Sequence, residues 1–101
     1  MKLVQILLPV RDNRGRKFKP ETYTRIRREL VNRFGGLTAY TRSPADGLWK
    51  AGHATKRDDM IIFEVMTARM DRAWWRRYRR KLETTFRQDT LLVRAQTIDV
   101  I

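Results

Sequence analysis

Two short and almost continuously apolar segments place the strongest constraint on the fold of this chain. Residues 3–10 (LVQILLPV) are apolar on both faces of an extended strand except at Gln5, and residues 60–66 (MIIFEVM) are interrupted only by Glu64. Strands of this kind are covered on both faces, so they occupy the interior of a sheet. Pro9 cannot donate to a central ladder, and it is therefore expected to end the first strand.

Two amphipathic helices accompany these strands. Pro20 suits the first turn of a helix, and Gly35 and Gly36 supply its end. Residues 70–87 (MDRAWWRRYRRKLETTFR) form a second helix with one aromatic face and one basic face. The apolar face carries Trp74, Trp75, Tyr78, Leu82 and Phe86. The arginines that we place on the opposite, solvent-facing side are Arg72, Arg76, Arg79, Arg80 and Arg87.

The order of these segments predicts the fold class. Residues 37–42 and 91–101 alternate between polar and apolar side chains, as edge strands do, so the complete order is β-α-β-β-α-β. In a ferredoxin-like fold the first and third strands of this order lie in the centre of the sheet. We therefore predict a single α+β domain over residues 1–101, with a four-stranded antiparallel sheet of order 4-1-3-2 and two helices on one face.

Such a sheet leaves its second face without helices. Strand alternation directs Val4, Ile6 and Leu8 toward the helices and their neighbours away from them. A contiguous apolar face of this size is rarely left in water, so we expect a homodimer that forms through the open sheet face. The residues predicted on the open face are Leu3, Gln5, Leu7, Ile62, Glu64, Met66, Leu92, Arg94, Gln96 and Ile98.

Polar side chains cross the middle of this open face. In the predicted strand order Arg94 lies on one side of Gln5 and Glu64 lies on the other, with Gln96 further along the strand of Arg94. A cation, an amide and a carboxylate in an apolar cleft could hold a small polar ligand, or Glu64 could act as a base. The alternative is a structural role, in which Arg94 and Glu64 form an ion pair within one chain or across the dimer interface.

The longest irregular segment, residues 43–56 (SPADGLWKAGHATK), contains Trp49 and His53. His53 is the only histidine of the chain. We first expect it to be an exposed histidine in a loop. The functional alternative is that His53 belongs to a lid over the open face. One histidine without cysteines matches no metal-ligand spacing, and no glycine-rich phosphate loop follows a strand. We therefore predict no metal and no cofactor, and we assign no catalytic residue.

The charge balance favours anionic partners. The chain carries 23 Lys and Arg residues against 11 Asp and Glu, a net charge of +12. A charge of this sign attracts polyanions, although a solvated basic surface is the simpler alternative. The candidates for nucleic-acid or other anion contacts are the helix residues Arg72, Arg76, Arg79, Arg80 and Arg87 with the loop residues Arg14, Arg16 and Lys17.

Four segments carry a resemblance to known proteins: FGGLTAY (34–40), GLWK (47–50), RDDMIIFEV (57–65) and LVRAQ (92–96). They resemble segments of short bacterial proteins of unassigned function with ferredoxin-like or dimeric α+β-barrel folds. Proteins of this kind include haem-degrading and quinone-forming monooxygenases, isomerases and small-ligand sensors. The resemblance therefore implies a fold and no single activity.

These observations predict a small homodimeric binding module with a ligand or partner site on the open sheet face. The alternative is non-specific nucleic-acid or polyanion binding through the Arg-rich second helix. A further alternative is a cofactor-free dimeric α+β-barrel enzyme, monooxygenase-like or isomerase-like. Because the chain has no cysteine and no apolar segment of about 18 residues, we expect a cytoplasmic protein without a membrane span.

Overall fold

The computed structural model describes residues 1–42 and 59–101. Trp49 and His53 lie outside the described residues, so the expectations about them stay predictions. The described elements follow the predicted β-α-β-β-α-β order. They are β1 (Lys2–Pro9), α1 (Pro20–Phe34), β2 (Thr38–Arg42), β3 (Met60–Thr67), α2 (Arg72–Phe86) and β4 (Val93–Thr97).

The sheet has the order β2-β3-β1-β4, which is the predicted 4-1-3-2 order counted from the other edge. All three strand pairs are antiparallel. The two most apolar strands, β1 and β3, lie in the centre, because only central strands bury both of their faces. The predicted ferredoxin-like topology is confirmed.

The core lies between the sheet and the two helices. Val4, Ile6 and Leu8 of β1 are fully buried there, as the strand alternation predicts. Phe63 and Val65 of β3 extend the same apolar layer. The helices cover it with Tyr23, Ile26 and Leu30 of α1 and with Trp75, Tyr78, Leu82 and Phe86 of α2.

Local chemistry explains where the helices begin and end. Gly35 ends α1 with a φ of 82°, a left-handed conformation that glycine adopts without steric cost. The side chain of Asp71 caps the start of α2 by accepting a hydrogen bond from the backbone N–H of Trp74 at 3.0 Å. Neither helix in the described ranges is long and apolar enough to cross a membrane.

Strand β4 is shorter than the alternation of residues 91–101 predicts. It pairs with β1 from Val93 to Thr97, and Thr97 lies opposite Lys2, the first residue of β1. One further backbone hydrogen bond follows, from the N–H of Ile98 to the carbonyl of Met1 at 3.0 Å, and the chain available for pairing on the β1 side ends there. Leu91, which precedes the strand, is buried in the core instead.

Candidate functional site

The strand register brings the predicted polar row of the open face together. Gln5 of β1 lies opposite Glu64 of β3 on one side and opposite Arg94 of β4 on the other. Thr38 of β2 lies opposite Glu64, which places Tyr40 two residues further along the same face. The open face therefore carries one polar cluster formed by Gln5, Tyr40, Glu64 and Arg94, which we call the polar row.

Hydrogen bonds connect all four side chains of the polar row. Gln5 Nε2 donates to Glu64 Oε2 at 2.5 Å and to the Tyr40 hydroxyl at 3.1 Å. The Tyr40 hydroxyl donates to the same Glu64 oxygen at 3.1 Å. Arg94 Nε donates to Gln5 Oε1 at 2.8 Å. Gln5 thus lies between the carboxylate and the guanidinium and bridges them.

Part of the hydrogen-bonding capacity of the polar row is unused. Both donors that reach Glu64 bind Oε2, and within residues 1–42 and 59–101 no donor reaches Oε1. The terminal nitrogens of Arg94 likewise make no hydrogen bond to the described residues. One carboxylate oxygen and one guanidinium edge are therefore oriented by protein contacts yet able to bind another molecule.

The apolar part of the open face is less exposed than the sequence predicts. Leu7 and Ile62 lie opposite each other on this face, but they are only 7% and 1% exposed in the single chain. Met66 and Leu92 are half-exposed, at 52% and 50%, and Tyr40 is 40% exposed. The apolar surface offered to solvent is thus confined to the surroundings of the polar row rather than spread over the whole face.

Tyr40 is the member of the polar row that the sequence-based prediction missed. The signal was present, because the alternation of β2 places Tyr40 on the same face as Thr38. What could not be read from the sequence is the register of β2 against β3, which brings the hydroxyl to Glu64. Gln96, predicted in the same cleft, is exposed on β4 opposite Leu3.

The arginines that the helical periodicity places on the solvent-facing side of α2 differ in exposure. Arg79 is half-buried, and it lines a groove with Arg72 and Arg76 beside β4. Arg79 is adjacent to the buried edge of α2, so only 42% of its side chain is exposed. Arg80, by contrast, is exposed as predicted.

Arg87 belongs to a different basic cluster. It adopts a left-handed φ of 51° after α2, and its guanidinium lies 3.8 Å from the carboxylate of Asp12. Asp12 also accepts the backbone N–H groups of Arg14 and Arg16, both at 2.9 Å. The hydrogen bond from Arg16, followed by that from Arg14 and by nearby positive charges, lowers the pKa of Asp12. Arg14, Arg16 and Lys17 are exposed around this turn.

No group of three or more potential metal ligands occurs within the described part of the chain. The polar row contains one carboxylate, one amide, one phenol and one guanidinium. A single carboxylate with an amide, a phenol and a guanidinium supplies fewer anionic oxygen ligands than a metal ion usually takes, so this set of groups suits an organic ligand better than a metal ion.

No family model matches the sequence, and no curated protein matches it. Among solved structures, the chain resembles a phage SAM lyase in complex with S-methyl-5'-thioadenosine, with a TM-score of 0.62 and 10% identity. That match covers 94% of this chain and 79% of the lyase. A variant of CutA1 from Pyrococcus horikoshii OT3 matches with a TM-score of 0.55 and 13% identity, over 100% of this chain and 86% of CutA1. At these identities the similarity establishes the ferredoxin-like fold.

Proposed function

We propose that the open sheet face binds a small molecule with a planar apolar body and a group that is cationic or donates hydrogen bonds. The polar row carries this proposal, since two donors hold Glu64 Oε2 while Oε1 accepts no hydrogen bond within the described residues. An oriented carboxylate binds a donor at a smaller entropic cost than a mobile one. Tyr40, Met66 and Leu92 supply apolar contact area around it.

Sulfur-containing adenine nucleosides are the ligand class that we favour. The phage SAM lyase with a similar fold is in complex with S-methyl-5'-thioadenosine. Such a nucleoside combines a planar base, an apolar thioether and several hydroxyl and amine donors for Glu64. Arg94 can donate to a ring nitrogen or a hydroxyl oxygen of the same ligand. S-adenosylmethionine adds a sulfonium and an ammonium group, which a carboxylate attracts.

Calorimetric titration and thermal unfolding with these two compounds test the proposal. We expect both to bind, and a ligand at a hundred times its dissociation constant stabilises the fold by about 2.7 kcal/mol. Glu64→Gln preserves the shape of the side chain and removes its charge. It is expected to weaken S-adenosylmethionine binding about tenfold, and S-methyl-5'-thioadenosine binding less. Mass spectrometry of the recovered ligand distinguishes binding from turnover, which separates the binding module from the enzyme alternative.

Glu21→Gln is the matched control, because Glu21 is an exposed glutamate in the first turn of α1 and is absent from the polar row. It is expected to leave both affinities unchanged. If neither compound binds at millimolar concentration, the nucleoside class is wrong. If the two glutamate variants weaken binding equally, the site on the open face is wrong.

We further propose that a second copy of the chain covers the open face and encloses the polar row between two sheets. The half-exposed side chains of Met66 and Leu92 support this proposal, since isolated apolar side chains gain free energy when a partner removes them from water. Non-specific nucleic-acid binding by the basic clusters stays a prediction.

A further inference from the structure

Residues of α2 and β4 line a groove of about 220 Å³ at one edge of the sheet. The groove is smaller than the roughly 300–1,000 Å³ sites that hold drug-sized ligands, so it suits a molecule with one ring or a short alkyl chain. Met70, Val93 and Ala95, which are at least partly exposed, contribute apolar lining together with the mostly buried Trp75. Arg72, Arg76 and Arg79 of α2 and Arg94 of β4 contribute the basic lining, so the groove combines apolar contact area with concentrated positive charge.

The three arginines share one side of α2 because they are spaced four and three residues apart. Arg79 is held in place by Glu83, whose Oε2 lies 3.7 Å from Arg79 Nε and accepts the backbone N–H of Leu91 at 3.1 Å. Arg79 Nε is buried and makes no hydrogen bond to any described residue. This geometry orients one guanidinium beside the groove before any ligand binds.

Arg72 and Arg76 have no acidic partner in the part of the chain that the structure describes. Within residues 1–42 and 59–101 neither of them forms an ion pair, although both line the groove with Arg79. Like charges one helical turn apart repel each other, and here the single carboxylate of Glu83 compensates only part of that repulsion. A bound anion would remove the remaining repulsion.

The geometry points to a binding site in this groove for a small amphipathic oxyanion, a phosphate or carboxylate head on an aryl or short alkyl body. Guanidinium groups bind both heads through paired N–H donors. The apolar body contacts the accessible apolar side chains of the lining, those of Met70, Val93 and Ala95. Arg94 lines this groove and also belongs to the polar row, whereas Gln5, Tyr40 and Glu64 do not line the groove. The inference rests on the three arginines of α2 and not on the function proposed for the open face.

Calorimetric titrations with phenyl phosphate and benzoate distinguish the two heads, and inorganic phosphate and benzyl alcohol serve as the separate halves of the ligand. We expect at least one aryl anion to bind about tenfold more tightly than either half, with an affinity that decreases as salt is added. If inorganic phosphate binds as tightly as phenyl phosphate, the apolar lining plays no part and the proposal is overturned. The absence of binding by both aryl anions at millimolar concentration overturns it as well.

Arg72→Gln and Arg76→Gln test which residues hold the anion. Each is expected to weaken binding about tenfold, while circular dichroism shows an intact fold because both side chains are exposed. Arg77→Gln is the matched control, since Arg77 is an exposed arginine of the same helix that does not line the groove. An equal loss in Arg77→Gln would mean that net charge alone attracts the anion, and it would overturn the site. Glu64→Gln is expected to leave aryl-anion binding unchanged, which separates this site from the open face.

Discussion

The carboxylate of Glu83 connects the last turn of α2 to the chain segment that leads into β4. Its Oε2 accepts the backbone N–H of Leu91 at 3.1 Å, and Leu91 is buried in the core. The same oxygen lies 3.7 Å from Arg79 Nε. One side chain thus satisfies a backbone donor near the core and orients a half-buried guanidinium.

Glu83→Ala is expected to lower the free energy of unfolding by about 1–3 kcal/mol. The variant leaves the N–H of Leu91 without its acceptor, and a desolvated donor without a partner carries a cost of this size. Urea unfolding followed by circular dichroism measures the loss. Arg80→Ala, an exposed change on the same helix, is expected to stay within about 0.5 kcal/mol of the unsubstituted protein. Equal losses in the two variants would contradict this role of Glu83.

Glu29 links the two helices through charged hydrogen bonds. Its carboxylate accepts from the Tyr78 hydroxyl at 3.0 Å and from Lys81 Nζ at 2.8 Å. Partial burial acts to raise the pKa of Glu29, but these two hydrogen bonds and the charge of Lys81 outweigh it and lower the pKa below its usual 4.5. Burial, together with the neighbouring Glu29 carboxylate, raises the pKa of Tyr78.

The lowered pKa of Glu29 predicts a pH-dependent contribution to stability. A carboxyl group that binds its proton more weakly in the folded chain stabilises the fold above its unfolded pKa, and this contribution is lost as the pH falls through the folded pKa. At pH 7 we expect Glu29→Gln to cost about 1 kcal/mol, a modest value because the side chain is 33% exposed. The difference from the unsubstituted protein is expected to shrink below a pH of about 4.5.

Urea unfolding at a series of pH values from 7 to below 4 measures the Glu29 contribution. Asp89→Asn serves as the control, because Asp89 is exposed and makes no ion pair within the described residues. A Glu29→Gln difference that stays constant across the series would show that the carboxylate charge is not its cause.

At the level of the elements, an aromatic cluster joins α1 to α2. The ring of Trp75 stacks on Phe34 with centroids 5.3 Å apart, and Trp74 stacks on Tyr78 at 4.7 Å. The guanidinium of Arg33 lies 4.2 Å from the centroid of Trp74. The two adjacent tryptophans differ in burial, since Trp75 is 5% exposed whereas Trp74 lies at the boundary with solvent.

This difference in burial predicts unequal contributions of the two tryptophans. Trp75→Ala is expected to lower the free energy of unfolding by about 3–5 kcal/mol, because it leaves a cavity in the core. Trp74→Ala is expected to cost less than about 2 kcal/mol, since solvent already reaches this side chain. Urea unfolding of both variants, with Trp75→Phe as a milder change, provides the measurement. Equal losses at the two positions would contradict the packing.

The sequence predicts most of the elements because the hydrophobic periodicity of each element is strong and depends only on residues that are close together in the chain. Pro20 and Gly35 act at the ends of α1 through backbone geometry alone, so that helix is predicted correctly. The end of β4 depends on where β1 begins, and the hydroxyl of Tyr40 meets Glu64 only through the register of β2. Arg79 is partly buried because it lies close to β4. The helical period gives no information about the position of a neighbouring strand, so this burial could not be predicted from it.

The open-face site was predictable only in part. The neighbours of Gln5 follow from the strand order, which the hydrophobicity of β1 and β3 determines. The bridging hydrogen bonds follow from the exact opposition of Gln5 with Glu64 and Arg94, and alternation alone does not specify that register.

At the level of the whole molecule, the net charge of +12 makes the salt dependence of any association informative. If the exposed basic clusters bind nucleic acid, affinity decreases with salt, with a logarithmic slope of about −0.9 for each phosphate contacted in duplex DNA and about −0.7 in a single strand. Fluorescence anisotropy with labelled single-stranded and double-stranded oligonucleotides measures this slope. Arg14→Gln and Arg16→Gln are then expected to reduce it by about one each, and an unchanged slope would exclude the loop cluster from the interface.

The proposed homodimer has the opposite salt dependence, because two chains of the same charge repel each other. Sedimentation equilibrium is expected to show a dimer whose dissociation constant decreases as salt screens that repulsion. Leu92→Glu is expected to produce monomers, since it places a carboxylate in the apolar surface around the polar row. The substitution also lowers the net positive charge, so charge repulsion between chains cannot explain the dissociation.

Val31→Glu introduces the same change at a 40% exposed apolar position on α1 and is expected to leave the dimer intact. Dissociation by Val31→Glu, with Leu92→Glu still dimeric, would place the interface on the helices instead of the open sheet face.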